Sequence, residues 1–153
     1  MFFAERDRNA AADIDDMSMD SWDGYAASRR RITPGWVDAK VRNAVVLTGD
    51  VHRNWANNVK VDYKNPDAPV VGSELVCTSV TSTGNGTGSV TDPTMAWNDH
   101  LKFFNDQRGY VRTTITKDSM QADFRVLDYV VAPGSPVSTK ASFQIHDGVP
   151  GLQ

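Results

Sequence analysis

Asp50 and His52 are the two side chains whose types and spacing best suit chemistry in this sequence. They flank Val51, directly after the run Asn43-Ala44-Val45-Val46-Leu47-Thr48-Gly49. In an extended segment, residues i and i+2 point to the same side, so a carboxylate and an imidazole would converge on one point. Hard cations favour the carboxylate oxygen, and transition metals also accept the imidazole nitrogen. Spacing alone leaves two readings open. The residues are either a pair of metal ligands or a hydrogen-bonded aspartate beside a packed histidine. A catalytic metal is expected to have three or more protein ligands, so the pair would be part of a larger set.

The other reactive types are less suggestive. His100 falls in a segment read as a helix, 95–104, where packing explains it. His146 precedes Asp147-Gly148 and reads as exposed. Cys77 is the one cysteine and lies in the apolar run Leu75-Val76-Cys77. No base or positive field adjoins it in sequence, so it reads as a buried packing residue. The acids Asp13, Asp15, Asp16 and Asp20 sit among small residues and read as a solvated surface loop over 5–20.

The elements that must position Asp50 and His52 follow from periodicity. Ser21 or Asp20 can cap a helix that carries Trp22, Tyr25, Ala26 and Arg29 at helical spacing. Arg29-Arg30-Arg31 suit its C-terminal end, and Pro34-Gly35 is read as the interruption. A second short turn over 36–40 follows. The run 43–48 then reads as a strand covered on both faces, and Gly49 as the residue that allows a sharp turn. The carboxyl end of such a strand is where α/β sheets bind ligands. Further strands are read over 59–63, 70–81 and 140–145. Segments 109–116 and 120–130 form a hairpin turned by Lys117-Asp118-Ser119. Asn65-Pro66-Asp67, residues 82–93 and Pro133-Gly134-Ser135-Pro136 read as turns and loops. One αβ unit followed by antiparallel strands fits the edge of a larger α/β sandwich.

Composition bounds the function. The chain has 153 residues, 40% apolar and 23% charged, the profile of one globular domain. A net charge of −3 gives no reason to expect nucleic acid or an anionic membrane as partner. No apolar run approaches the roughly 20 residues needed to cross a bilayer. The start, Met1-Phe2-Phe3-Ala4-Glu5-Arg6-Asp7, is not a signal peptide and reads like the interior of a protein.

Asp20-Ser21-Trp22-Asp23-Gly24-Tyr25, the basic helix with Arg29, and Asn43 to Asn54 with Gly49-Asp50-Val51-His52 resemble the C-terminal part of PhoD-type alkaline phosphatases. Gly72-Ser73-Glu74-Leu75-Val76, His100-Leu101-Lys102-Phe103-Phe104-Asn105 and Arg108-Gly109-Tyr110 follow in the same order. The likeness spans about residues 1–130.

The resemblance implies an α/β fold: the C-terminal half of a metallophosphoesterase-like β-sandwich with flanking helices, over 1–153. It implies hydrolysis of small-molecule phosphate esters with iron and calcium, in a secreted or periplasmic protein. It places Asp50 and His52 at the family's late metal-ligand motif, with Tyr25, Asn105 and Arg108 as candidate substrate-binding residues. Asn54 and Trp55 are candidates to shape the surroundings of the ligands. The family's other ligands, including an Asp, a Cys and an Asn, belong to earlier motifs that this sequence lacks. Cys77 follows the Gly-Asp-Val-His segment and does not match that Cys. The contrasting reading is a non-catalytic β-rich binding or interaction module. A half-sandwich is also expected to leave one sheet face uncovered and to self-associate.

Overall fold

The computed structural model describes residues 2–11, 14–82 and 84–153, so Asp13 lies outside the described residues. A 3-10 turn, Trp22–Tyr25, leads into helix α1, Ala26–Asp38. Ser21 caps the turn by accepting a hydrogen bond from the Asp23 N–H. Seven strands follow in the described residues: β1 Val45–Thr48, β2 Asn54–Lys60, β3 Val70–Val76, β4 Leu101–Asn105, β5 Gly109–Ile115, β6 Ser119–Leu127 and β7 Val137–His146.

The strands form two sheets. The first has the order β1-β3-β2-β4, with β1 parallel to β3 and the remaining pairs antiparallel. The second is the antiparallel meander β5-β6-β7. They pack through one buried cluster, Ala56 and Leu75 from the first against Ala122 and Phe124 from the second. Phe103, Phe124 and Phe143 interlock there, with ring centroids 4.9–6.0 Å apart.

Successive strand residues face opposite sides. Trp55 and Val76 therefore point the other way from Ala56 and Leu75, and with Leu101 and Phe104 they bury Phe2 and Ala4 of the N-terminal segment. Over β2, β3 and β4 both faces of the first sheet are packed, one against the second sheet and one against residues 2–4. Among the described residues, the expected bare face does not occur over these strands.

What is bare is an edge. β1 ends the first sheet, and Leu47 is 66% exposed. This corrects the expectation of a strand covered on both faces. An apolar run reports that a strand is sticky, not that its neighbours are present in the chain.

Three other expectations are corrected. α1 runs through Pro34 and Gly35 to Asp38 instead of stopping, and the second turn is its last turn. Pro34 removes the bond to the carbonyl four residues back, and that residue, Arg30, is exposed to water. The segment 95–104 is not a helix. A 3-10 turn, Pro93–Ala96, precedes β4, which pairs with β2. A short apolar run fits either period, and tertiary pairing decided for the strand. Finally, β2 begins at Asn54, before the alternation at 59–63. Its early positions hold buried Asn54 and Asn57, polar residues that hide a strand from a hydrophobic pattern. The 109–130 hairpin is present as expected, and the last strand is longer than expected, Val137–His146.

Candidate metal-ligand loop at the end of strand β1

The loop between β1 and β2 is built from opposed demands. Thr48 is pinned on both sides. Its carbonyl accepts from the Cys77 N–H at 2.9 Å, and its hydroxyl donates to Glu74 at 2.8 Å. Val51 packs onto the apolar cluster of Trp55, Val76 and Phe104. With Val51 turned inward, Asp50 is exposed and His52 half-buried.

The backbone is not extended here. Asp50 has φ +78° and His52 has φ +52°. Asp50 and His52 are therefore not related as residues i and i+2 of an extended strand, as the sequence reading expects. Asp and His tolerate the left-handed region better than most residues, but each still costs about 1 kcal/mol or more. Gly49, expected to be the turning residue, is not among the residues with positive φ. A Cβ there would meet the Cys77 carbonyl at an ordinary 3.4 Å. The sharp turning is done by Asp50 and His52 themselves.

Asp50, Val51 and His52 form one wall of a cavity of about 350 Å³. Phe2, Arg6, Arg8, Ser18, Asp20, Ser21 and Asp23 line the rest of it. Arg6 and Arg8 are already engaged by Asp92 and Asp16. Asp23 is committed as well: it pairs with Arg29 and accepts from the Arg6 N–H at 3.2 Å. Burial pushes its carboxyl up from the usual range, and the hydrogen bond from Arg29 opposes that shift.

A metal would find the right donor chemistry at Asp50 and His52, one oxygen and one nitrogen on a common cavity. It would not find a full set. Among the described residues, no group of three His, Cys, Asp or Glu side chains is placed to hold an ion. The two residues fit as part of a site.

The three candidate substrate contacts lie elsewhere. None of Tyr25, Asn105 and Arg108 lines that cavity. Tyr25 is 58% exposed. Asn105 is fully buried: its Oδ1 accepts from the Gln107 N–H, and its amide donates to Ser89 O at 3.1 Å. Asn54, beside it, accepts from the Thr78 N–H at 3.2 Å and donates to Gln107 O at 3.3 Å. Trp55 serves the apolar cluster, with its ring under the Arg6 guanidinium at 4.8 Å. Arg108 is buried and donates to the His52 carbonyl at 2.9 Å.

A profile of the family described as PhoD-like phosphatase matches residues 1–124. The chain belongs to the PhoD-like phosphatase family. It is 46% identical over 138 residues to alkaline phosphatase D of Bacillus subtilis (strain 168), covering 89% of this chain and 24% of that protein. The solved structure titled "Structure of PhoD" superposes over 100% of this chain and 30% of its own, at TM-score 0.90 and 44% identity. The chain therefore spans about a quarter of the length of this curated relative. The mixed α/β fold with two sheets is that of the matching region of the family.

Sequence reasoning missed the role of Glu74. It is fully buried in β3, and its carboxylate accepts from the N–H groups of Phe3 and Ala4, from Asn57 Nδ2 and from Thr48 Oγ1. It fastens the N-terminal segment to the sheet and to the end of β1. Burial pushes its carboxyl up from the usual range, against those hydrogen bonds. The signal was available, because a single acid inside an apolar strand is rarely buried without a task.

Proposed function

We propose that this chain supplies two metal ligands, Asp50 and His52, to the active site of a metal-dependent phosphate-ester hydrolase. The observation that carries the reading is their shared cavity at the carboxyl end of β1, in a chain of the PhoD-like phosphatase family. The remaining ligands would come from polypeptide outside these 153 residues. The expected ions are iron and calcium, the expected substrates are small phosphate esters, and the expected location is outside the cytoplasm. The bound ions would polarise the phosphoryl oxygens and activate the attacking oxygen nucleophile. The chain's own part is to present one carboxylate oxygen and one imidazole nitrogen on a fixed loop.

A second reading, a non-catalytic interaction module, is favoured by the apolar edge at Leu47 and by the two-donor set.

The test is a hybrid in which this chain replaces the matching region of the Bacillus alkaline phosphatase D. The hybrid is expected to hydrolyse a chromogenic phosphate ester, and the isolated chain to show negligible turnover. Losing a group that only supports a ligand typically costs 10–100-fold, so Asp50→Asn or His52→Gln in the hybrid is expected to cost more than about a hundredfold. An active hybrid indifferent to both substitutions would remove the ligand assignment.

A further inference from the structure

Arg108 has an unusual set of partners for a buried cation. The residue is 1% exposed. Nη1 shares its two N–H groups among the His52 carbonyl at 2.9 Å, Ser79 Oγ at 3.1 Å and the Ser82 carbonyl at 3.2 Å. Nη2 donates to the Asp106 carbonyl at 2.6 Å. These partners are carbonyls and a hydroxyl, with no carboxylate among them. A buried charge is costly unless it is hydrogen-bonded; Nε has no partner among the described residues, so the charge is met through Nη1 and Nη2, mainly by backbone carbonyls.

The backbone it fixes is specific. His52 follows β1, Ser79 and Ser82 follow β3, and Asp106 follows β4. β1 and β3 are parallel, and β2 runs antiparallel to both β3 and β4. The loops after β1, β3 and β4 therefore emerge at one end of the sheet, and one planar fork ties all three. Arg108 is itself tied to β6, its carbonyl accepting from the Leu127 N–H at 2.9 Å. Gly109 approaches β6 so closely that a Cβ there would stand 1.9 Å from the Arg125 carbonyl.

We propose that Arg108 is the positioning residue of the Asp50–His52 pair, acting through the His52 carbonyl to hold the left-handed bend that turns both side chains onto the cavity. This rests on the metal-ligand reading above for its purpose, but its structural content can be read without metal. Asp50 and His52 both adopt positive φ, a conformation that persists only where surrounding structure enforces it. Arg108 supplies that enforcement from across the sheet end, 56 residues away in sequence. A lysine could reach one carbonyl but could not span three loops, because only the guanidinium offers a rigid fork of donors.

The test uses the 153-residue chain and two readouts. Hydrogen exchange by mass spectrometry reads opening of the 49–54 segment. Electron paramagnetic resonance of free Mn²⁺ reads metal affinity. Arg108→Met is expected to speed exchange in 49–54 by about tenfold or more, with β5–β7 peptides unchanged. It is expected to weaken Mn²⁺ binding about tenfold or more, with Arg108→Lys recovering part of each effect. Phe124→Leu, which destabilises the core between the sheets, is expected to change neither readout at 49–54. Arg108→Lys serves alone if Arg108→Met does not fold. Wild-type exchange at 49–54 in both Arg108 variants would overturn the proposal. A wild-type chain that binds no Mn²⁺ would instead count against the metal reading, and the exchange data would still decide the role of Arg108.

Discussion

The buried carboxylate of Glu74 accepts a hydrogen bond from the Thr48 hydroxyl at 2.8 Å, one residue before the loop that carries Asp50 and His52. The same carboxylate holds the Phe3 and Ala4 N–H groups at 2.6 and 2.9 Å. Glu74→Ala would leave those donors and Asn57 Nδ2 buried and unpaired. Each such group costs about 1–3 kcal/mol, so a loss of at least about 3 kcal/mol is expected by urea denaturation. Glu74→Gln keeps the shape but turns an amide NH₂ toward donors, and is expected to fall between. Stabilities within 0.5 kcal/mol of wild type for both, about the scatter of a neutral surface change, would refute the clasp.

His100 gives a pH dependence. It is 3% exposed, packed edge-to-face against Tyr63 at 4.5 Å, with Nε2 2.6 Å from the Glu5 carbonyl. Burial lowers its pKa from 6.5 to about 4. The folded state therefore disfavours the imidazolium, and the contribution is fully present above the unfolded value. As pH falls from 6.5 toward about 4, the unfolded chain takes up the proton and the folded chain does not. Stability is expected to decline there by up to about 1.4 kcal/mol per pH unit from this group. His100→Gln should flatten that part of the stability–pH curve; an unchanged slope would assign it to other groups.

Phe124 is fully buried where the two sheets meet. Phe124→Ala is expected to cost about 3–5 kcal/mol through lost burial and a residual cavity. The measurement is the denaturation midpoint. A cost under 1 kcal/mol, smaller than a single buried methylene change often brings, would mean that the sheets do not pack as described.

The bare edge predicts association. β1 ends its sheet, and Leu47 and Ile115 are 66% and 72% exposed beside a shared cavity with Val45 and Met120. Unpaired edges and apolar patches promote strand addition. The isolated chain is expected to sediment as more than a monomer, and Leu47→Lys to shift it toward monomer. A wild-type chain that is monomeric across the micromolar range would contradict this.

Much of the fold was legible because periodicity reports burial. The hairpin β5–β6 alternates, and its turn at 117–119 is polar, so both were readable. β4 was not, because Leu101, Phe103 and Phe104 satisfy a helical period as well as a strand flanked by two cores. β2 was obscured by Asn54 and Asn57, whose burial is made tolerable by partners distant in sequence. The candidate site was readable as a motif and unreadable as geometry. The order Gly49-Asp50-Val51-His52 marked the place, but the positive φ at Asp50 and His52 and the grip of Arg108 are tertiary facts. The family resemblance put forward Arg108 and Asn105 as candidates to line the site. The structure places both inside, where they tie loops together.

The claim that Asp50 and His52 are co-ligands of one ion is tested most directly by a Mn²⁺ titration of the 153-residue chain beside Asp50→Asn and His52→Gln. One weak site is expected in the wild type, since two donors hold a metal loosely, and each substitution is expected to abolish it. Binding that survives both substitutions, or a wild-type chain that binds no Mn²⁺, would contradict the claim.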